Sequence, residues 1–204
     1  MRSAKYALVG LALVAAGSAQ AAGIGVRAGT TGVGADVAFG IAPTLAARLG
    51  YSGGSVDHDV STNITYHGKL KLSNVNALLD WSPLGPFRIT GGFIFNDNKF
   101  DVQTDPVNGA TISGTVKPEK SAAPYLGIGY GNVAGAGVNF YADLGIMFQG
   151  SPQASLTANC GPSTTPAQCS TLQSQVASQQ QQLQDQLKNA KYYPVLNIGL
   201  TIGF

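Results

Sequence analysis

A chain of 204 residues with 27 glycines, 11% charged residues and a mean hydropathy of +0.10 falls well short of the roughly 25% charge of an ordinary soluble domain, so some of its surface must be apolar. Twelve basic against ten acidic residues give a formal net charge of only +2, with no basic stripe, which argues against nucleic acid as a partner.

Residues 1–21 read as a secretory signal peptide: Arg2 and Lys5 lead, residues 6–16 are apolar, and Ala19-Gln20-Ala21 supplies a small-x-small site with cleavage between Ala21 and Ala22. The apolar run is too short to cross a ~30 Å hydrocarbon core, which takes about 20 residues. Removing it takes two basic and no acidic residues, so the mature domain, residues 22–204, is formally neutral. No later run is long enough for a transmembrane helix. A closed β-barrel is then the remaining way to satisfy every backbone group in lipid.

Alternation of period two supports the barrel in eight segments. Residues 24–29 place Arg27 inward. In 33–41, Val33, Val37, Phe39 and Ile41 oppose Gly34, Asp36 and Gly40, and 45–52 repeats this with Leu45, Leu49 and Tyr51 against Arg48, Gly50 and Ser52. Residues 64–81 are less regular: Leu70 and Leu72 share one parity while Val75, Leu79 and Trp81 take the other, which calls for a β-bulge near Ser73-Asn74 and turns Lys69 and Lys71 inward. Residues 87–96 set Phe87, Ile89, Phe93 and Phe95 against Arg88, Thr90 and Asn96. Residues 122–131 oppose Leu126, Ile128 and Tyr130 to Tyr125, Gly127 and Gly129. In 138–149, Phe140, Leu144, Ile146 and Phe148 oppose Tyr141, Asp143 and Gly145. In 192–204, Leu196, Ile198, Leu200, Ile202 and Phe204 oppose Asn197, Gly199 and Thr201.

Both ends of such a barrel lie on the periplasmic side, so the strand number must be even. Reading 24–41 as one strand would leave seven, and a hairpin at Thr30-Thr31-Gly32 is preferred. Connections 42–44, 82–86 and 132–137 are short, as periplasmic turns are; 53–63, 97–121 and 150–191 are long.

The last eight residues, NIGLTIGF, resemble the assembly signal of the bacterial outer-membrane barrel superfamily, with Asn197, Gly199, Ile202 and Phe204 at its polar, glycine and terminal apolar or aromatic positions. The mature chain is similar to the small single-domain members, the membrane domains of OmpA, OmpX and OmpW type; GKLKL, LDWSP, APYLGIGYGN and DLGIMFQGSP look like a subgroup of no established activity. The resemblance implies an all-β, eight-stranded antiparallel up-and-down transmembrane barrel in the bacterial outer membrane. It also implies delivery by the barrel-assembly machinery and lipid as the surrounding partner. A monomer is expected.

Inside, parity gathers a polar cluster of Arg27, Asp36, Arg48, Asp80, Arg88 and Asp143. Its plain reading is a structural ion-pair core, because eight strands leave just enough room for side chains; its functional reading is a selectivity filter. Inward glycines such as Gly50, Gly92, Gly127, Gly129, Gly145 and Gly199 leave space for water or permit tight curvature. His58, between Asp57 and Asp59, and His67, with Ser55 and Ser61 nearby, match no catalytic or metal motif, so no catalytic residue, metal or cofactor is assigned.

Residues 150–191 hold Cys160 and Cys169, expected as a disulfide in an exported chain, with zinc binding improbable. From Pro166 to about residue 190, Leu172, Val176, Gln179, Leu183 and Leu187 recur at helical spacing after a Thr165-Pro166 start. This helix is expected to rest on the barrel mouth or rim; a disordered Gln-rich loop, a partner helix and the outer leaflet are the alternatives. The functional expectation is a non-enzymatic structural or interaction protein of the cell envelope, with a narrow pore and a lipid-modifying enzyme as alternatives. The rival fold is a soluble lipocalin-type barrel with its apolar face inward.

Overall fold

The computed structural model describes residues 21–61, 65–106 and 109–204. Residues 1–20, which carry most of the signal-peptide reading, lie outside them. Among the described residues, eleven strands and one helix follow in the order β1 (Ala22–Gly29), β2 (Gly32–Ala42), β3 (Leu45–Ser61), β4 (Thr65–Leu84), β5 (Phe87–Asn96), β6 (Lys99–Thr104), β7 (Ala110–Lys117), β8 (Ala122–Gly131), β9 (Gly137–Phe148), β10 (Gln153–Cys160), α1 (Pro166–Leu187) and β11 (Tyr192–Gly203).

Eight of the strands close a ring. Antiparallel pairings run β1–β2–β3–β4–β5–β8–β9–β11 and return from β11 to β1. Reciprocal bonds between Ala22 and Phe204, both 2.9 Å, lengthen the closing seam to the last residue. Closure leaves the ring without an edge. These eight are the segments that alternation picks out, including the hairpin at residues 30–31 that separates β1 from β2.

The alternation sorts polarity inside out relative to a soluble barrel. Outward positions on β11 alone include Leu196, Ile198, Leu200 and Ile202, all about half exposed or more, while Val195, Asn197 and Thr201 are buried. Edge-to-face aromatic pairs mark the two ends of the apolar belt: Phe87 with Tyr130 at the short-turn end and Phe148 with Tyr192 at the long-connection end. From Ile202 to Tyr192 the strand takes ten steps, which at about 3.3 Å each and a tilt near 45° amounts to roughly 23 Å of height, close to the ~25 Å apolar band of outer-membrane barrels. The lipocalin-type arrangement would need the reverse sorting.

No bulge interrupts β4 at Ser73-Asn74. Its register with β3 runs unbroken from Leu45 opposite Trp81 to Ser61 opposite Thr65. Lys69 and Lys71 therefore share the outward face of Val75 and Leu79, and Leu70 and Leu72 continue the lumen face. The physical reason is length: β4 has 20 residues and β3 has 17, so both rise past the apolar belt. Above it the outward face meets water and carries charge, so polarity inverts while parity does not.

There the sheet widens. β6 pairs with the upper part of β4, β7 with β6, and β10 with β7. This extension fills stretches that composition marks as long loops.

Candidate functional site

All six charged lumen residues are at most 5% exposed, and they form one network. Arg48 grips Asp80 with a fork, Nε to Oδ2 at 2.9 Å and Nη2 to Oδ1 at 3.0 Å, and reaches Asp143 Oδ2 with Nη1 at 2.7 Å. Arg88 bridges the same two carboxylates from its own strand, Nη1 to Asp80 Oδ1 at 3.0 Å and Nη2 to Asp143 Oδ1 at 2.8 Å. Two cations and two anions thus close a square across β3, β4, β5 and β9. The Thr90 hydroxyl donates to Asp80 at 2.6 Å.

Tyr141 joins the square to a second pair. Its ring lies 5.2 Å from the Arg48 guanidinium and 5.4 Å from that of Arg88, within cation–π range, and its hydroxyl donates to Asp36 Oδ2 at 2.6 Å. Asp36 pairs with Arg27 at 3.3 Å and accepts from Asn76, and Arg27 also donates to Asn76 and Ser52. Every lumen carboxylate oxygen has a partner. That matters because an unpaired buried charge is the costly case.

The inward glycines make room for this plug and leave no channel at those points. A Cβ on Gly199 would run into the Tyr141 ring, one on Gly129 into Arg88 and Asp143, and one on Gly127 or Gly145 into the Tyr125 hydroxyl. On either side of the charged square an apolar cluster packs in the lumen, beside buried polar groups such as Asn74, Asn96 and Thr201. Leu78, Ile94, Ala123, Tyr125, Met147 and Val195 form a layer toward the long-connection end. At the short-turn end Val133, from the turn after β8, packs with Ala134, Ala38 and Tyr141.

The terminal-strand signal divides between the two faces. Asn197 points inward and accepts from the Thr31 hydroxyl at 3.0 Å, Gly199 accommodates Tyr141, and Ile202 and Phe204 are exposed outward.

The Asp-His-Asp tripeptide lies on a strand, so its members alternate. Asp57 and Asp59 face the side of Lys69 and His67, and His58 faces the other. Asp57 pairs with Lys69 at 2.9 Å, Asp101 with Lys99 at 2.9 Å and Lys71 at 3.6 Å. His67 stands between Asp59, 3.0 Å from Nδ1, and Asp105, 3.1 Å from Nε2. Hydrogen bonds to Asp105 and then to Asp59 raise its pKa above the ordinary histidine value. Burial alone would raise the Asp101 carboxyl, but hydrogen bonds from Lys99 and Thr115 outweigh it and hold the group below its usual value.

Cys160 and Cys169 are bonded, tying the end of β10 to the first turn of α1. Thr165 caps that helix in a reciprocal box with Gln168. The helix runs antiparallel to β10 along its open edge. Gln180 Oε1 accepts from the Leu156 amide and Gln184 Oε1 from the Ala154 amide, each at 2.9 Å, while Gln184 Nε2 donates to the Pro152 carbonyl. Four residues of helix rise about 6.0 Å and two of strand about 6.6 Å, so glutamines at i and i+4 meet alternate edge amides in register. The helix supplies the bonds a further strand would have made and blunts the edge. Sequence periodicity finds the helix and its buried Val176 but not Gln180, which is half-buried and bonds the Leu156 amide, while Gln179 is largely exposed at the margin of the packed face.

A closed antiparallel ring with a paired polar interior and an apolar belt defines the outer-membrane type of transmembrane β-barrel. Among solved structures, the crystal structure of Acinetobacter baumannii CarO2 matches with a TM-score of 0.63 and 18% identity, over 90% of this chain and 98% of that one. That of Acinetobacter baumannii CarO matches at 0.62 and 22% identity, over 89% and 97%. The likeness is one of fold. No protein-family model and no curated protein matches the chain.

Proposed function

We propose that this protein is a non-enzymatic structural or interaction component of the bacterial outer membrane, with a closed lumen and with its working surface on the extended sheet and helix outside the cell. The observation that carries the reading is the Arg48–Asp80–Arg88–Asp143 square, stacked on Tyr141 between two apolar layers. A pore would need that square dissolved, and a filter would need its charges unpaired and open to solute. The terminal strand and the resemblance to single-domain outer-membrane barrels support delivery by the barrel-assembly machinery and a monomer in lipid. The split of Asp57, His58 and Asp59 between two faces supports the absence of a catalytic set there.

The test is solute flux with verified insertion. Proteoliposomes containing the mature chain are expected to swell in an isotonic small neutral sugar no faster than protein-free vesicles. Swelling proportional to protein content would replace this reading with the pore.

A further inference from the structure

The helix that covers the edge of β10 does not close down fully on the sheet. Between them lies a half-open cavity of about 500 Å³. This is within the ~300–1,000 Å³ of small-molecule sites. Its floor is the lumen-side parity of the extension: Val102 from β6, Ala110 and Ile112 from β7 and Leu156 from β10. Leu172 of α1 forms the roof. Thr104, Gln168 and Gln179 add neutral hydrogen-bonding groups, and Gln179 makes no hydrogen bond among the described residues. Among the described residues, no charged side chain lines the space.

We propose that this cavity is a binding site for a small, uncharged, largely apolar molecule carrying one or two hydrogen-bonding groups, taken from the external medium. The walls select against charge, since an ion there would lose water with no counter-charge to replace it. That no Lys or Arg is found among the described lining residues also speaks against the anionic head group of a surface lipid. The site is built: the Cys160–Cys169 bond anchors the roof at one end, and Gln180 and Gln184 anchor it further along, so the cavity lies under a fastened helix. It is separate from the filled lumen and uses none of the six lumen charges.

The experiment uses the mature chain in lipid nanodiscs with ¹³C-labelled methyl groups, titrated with the neutral probe N-phenyl-1-naphthylamine. Saturable shifts are expected at Ile112, Leu156 and Leu172, with only linear drift at Ile198 and Leu200 on the lipid face. Leu172→Trp, from the roof, and Ala110→Leu, from the floor, are each expected to weaken binding at least tenfold while the barrel keeps its heat-modifiable gel mobility. Drift without saturation would overturn the proposal, and so would saturable binding that both variants retain. Magnetisation transfer from lipid acyl chains to Ile112 and Leu156 in the absence of probe would overturn it in favour of a membrane lipid as the occupant.

Discussion

Removing a single carboxylate from the lumen takes one of two partners from each of two guanidiniums at once. Asp143→Ala takes a partner from Arg48 and from Arg88, so denaturant unfolding in lipid vesicles is expected to show a loss of about 3–5 kcal/mol, the size for breaking a buried pair. Gly199→Ala places a methyl against the packed Tyr141 ring, with an expected loss of about 1–3 kcal/mol by the same measurement. Unchanged unfolding in either variant would show that the lumen is looser than described. At His67 the shift has a definite sign. Its raised folded-state pKa means the clasp to Asp59 and Asp105 contributes fully below about pH 6.5, where the unfolded histidine is also charged, and fades as pH rises through the raised value. Amide exchange in β3, β4 and β6 above the membrane, corrected for intrinsic rates, should therefore be slower at pH 5.5 than at pH 8.5. A histidine titration midpoint at or below 6.5 would contradict the clasp.

At the level of elements, the register of helix and strand makes a sharp expectation. In Gln180→Leu/Gln184→Leu the amides of Ala154 and Leu156 lose their acceptors, at about 1 kcal/mol each, and their hydrogen exchange should accelerate while that of the ring strands does not. Reducing the Cys160–Cys169 bond releases a loop worth roughly 2–3 kcal/mol in the chain-entropy model, an effect confined to α1 and β10. Both the strengths and the failures of the sequence reading have physical causes at this scale. Ring strands are legible because lipid on one side and a polar lumen on the other force strict alternation, and Arg27, Asp36 and Arg48 stand out against it. Strands β6, β7 and β10 are not, because above the membrane both faces admit polar residues; Lys99, Asp101 and Thr115 then read as loop. The same loss of contrast makes unbroken β4 look bulged at Ser73-Asn74. Gln180 and Gln184 resemble any other glutamines in a Gln-rich helix until the strand beside them is known. Parity places Tyr141 in the lumen, but its bridging of Arg48, Arg88 and Asp36 depends on strands brought together only by closure.

For the whole molecule, two properties follow from the same inside-out sorting. The apolar belt requires lipid, so the chain should fractionate with the outer membrane and migrate differently on gels before and after boiling. The balanced interior requires no water column, so the barrel should be closed although it spans the membrane. Phe204, the outward aromatic that completes the seam with Ala22, belongs to the first property; Asn197 and Gly199, on the same strand, belong to the second. The most direct test of the closed barrel is single-channel recording across planar bilayers in which protease protection has established insertion. The filled lumen predicts a current indistinguishable from the bare bilayer, with discrete steps emerging in Arg48→Ser/Arg88→Ser/Tyr141→Ser; reproducible conductance steps from the unsubstituted protein would contradict it.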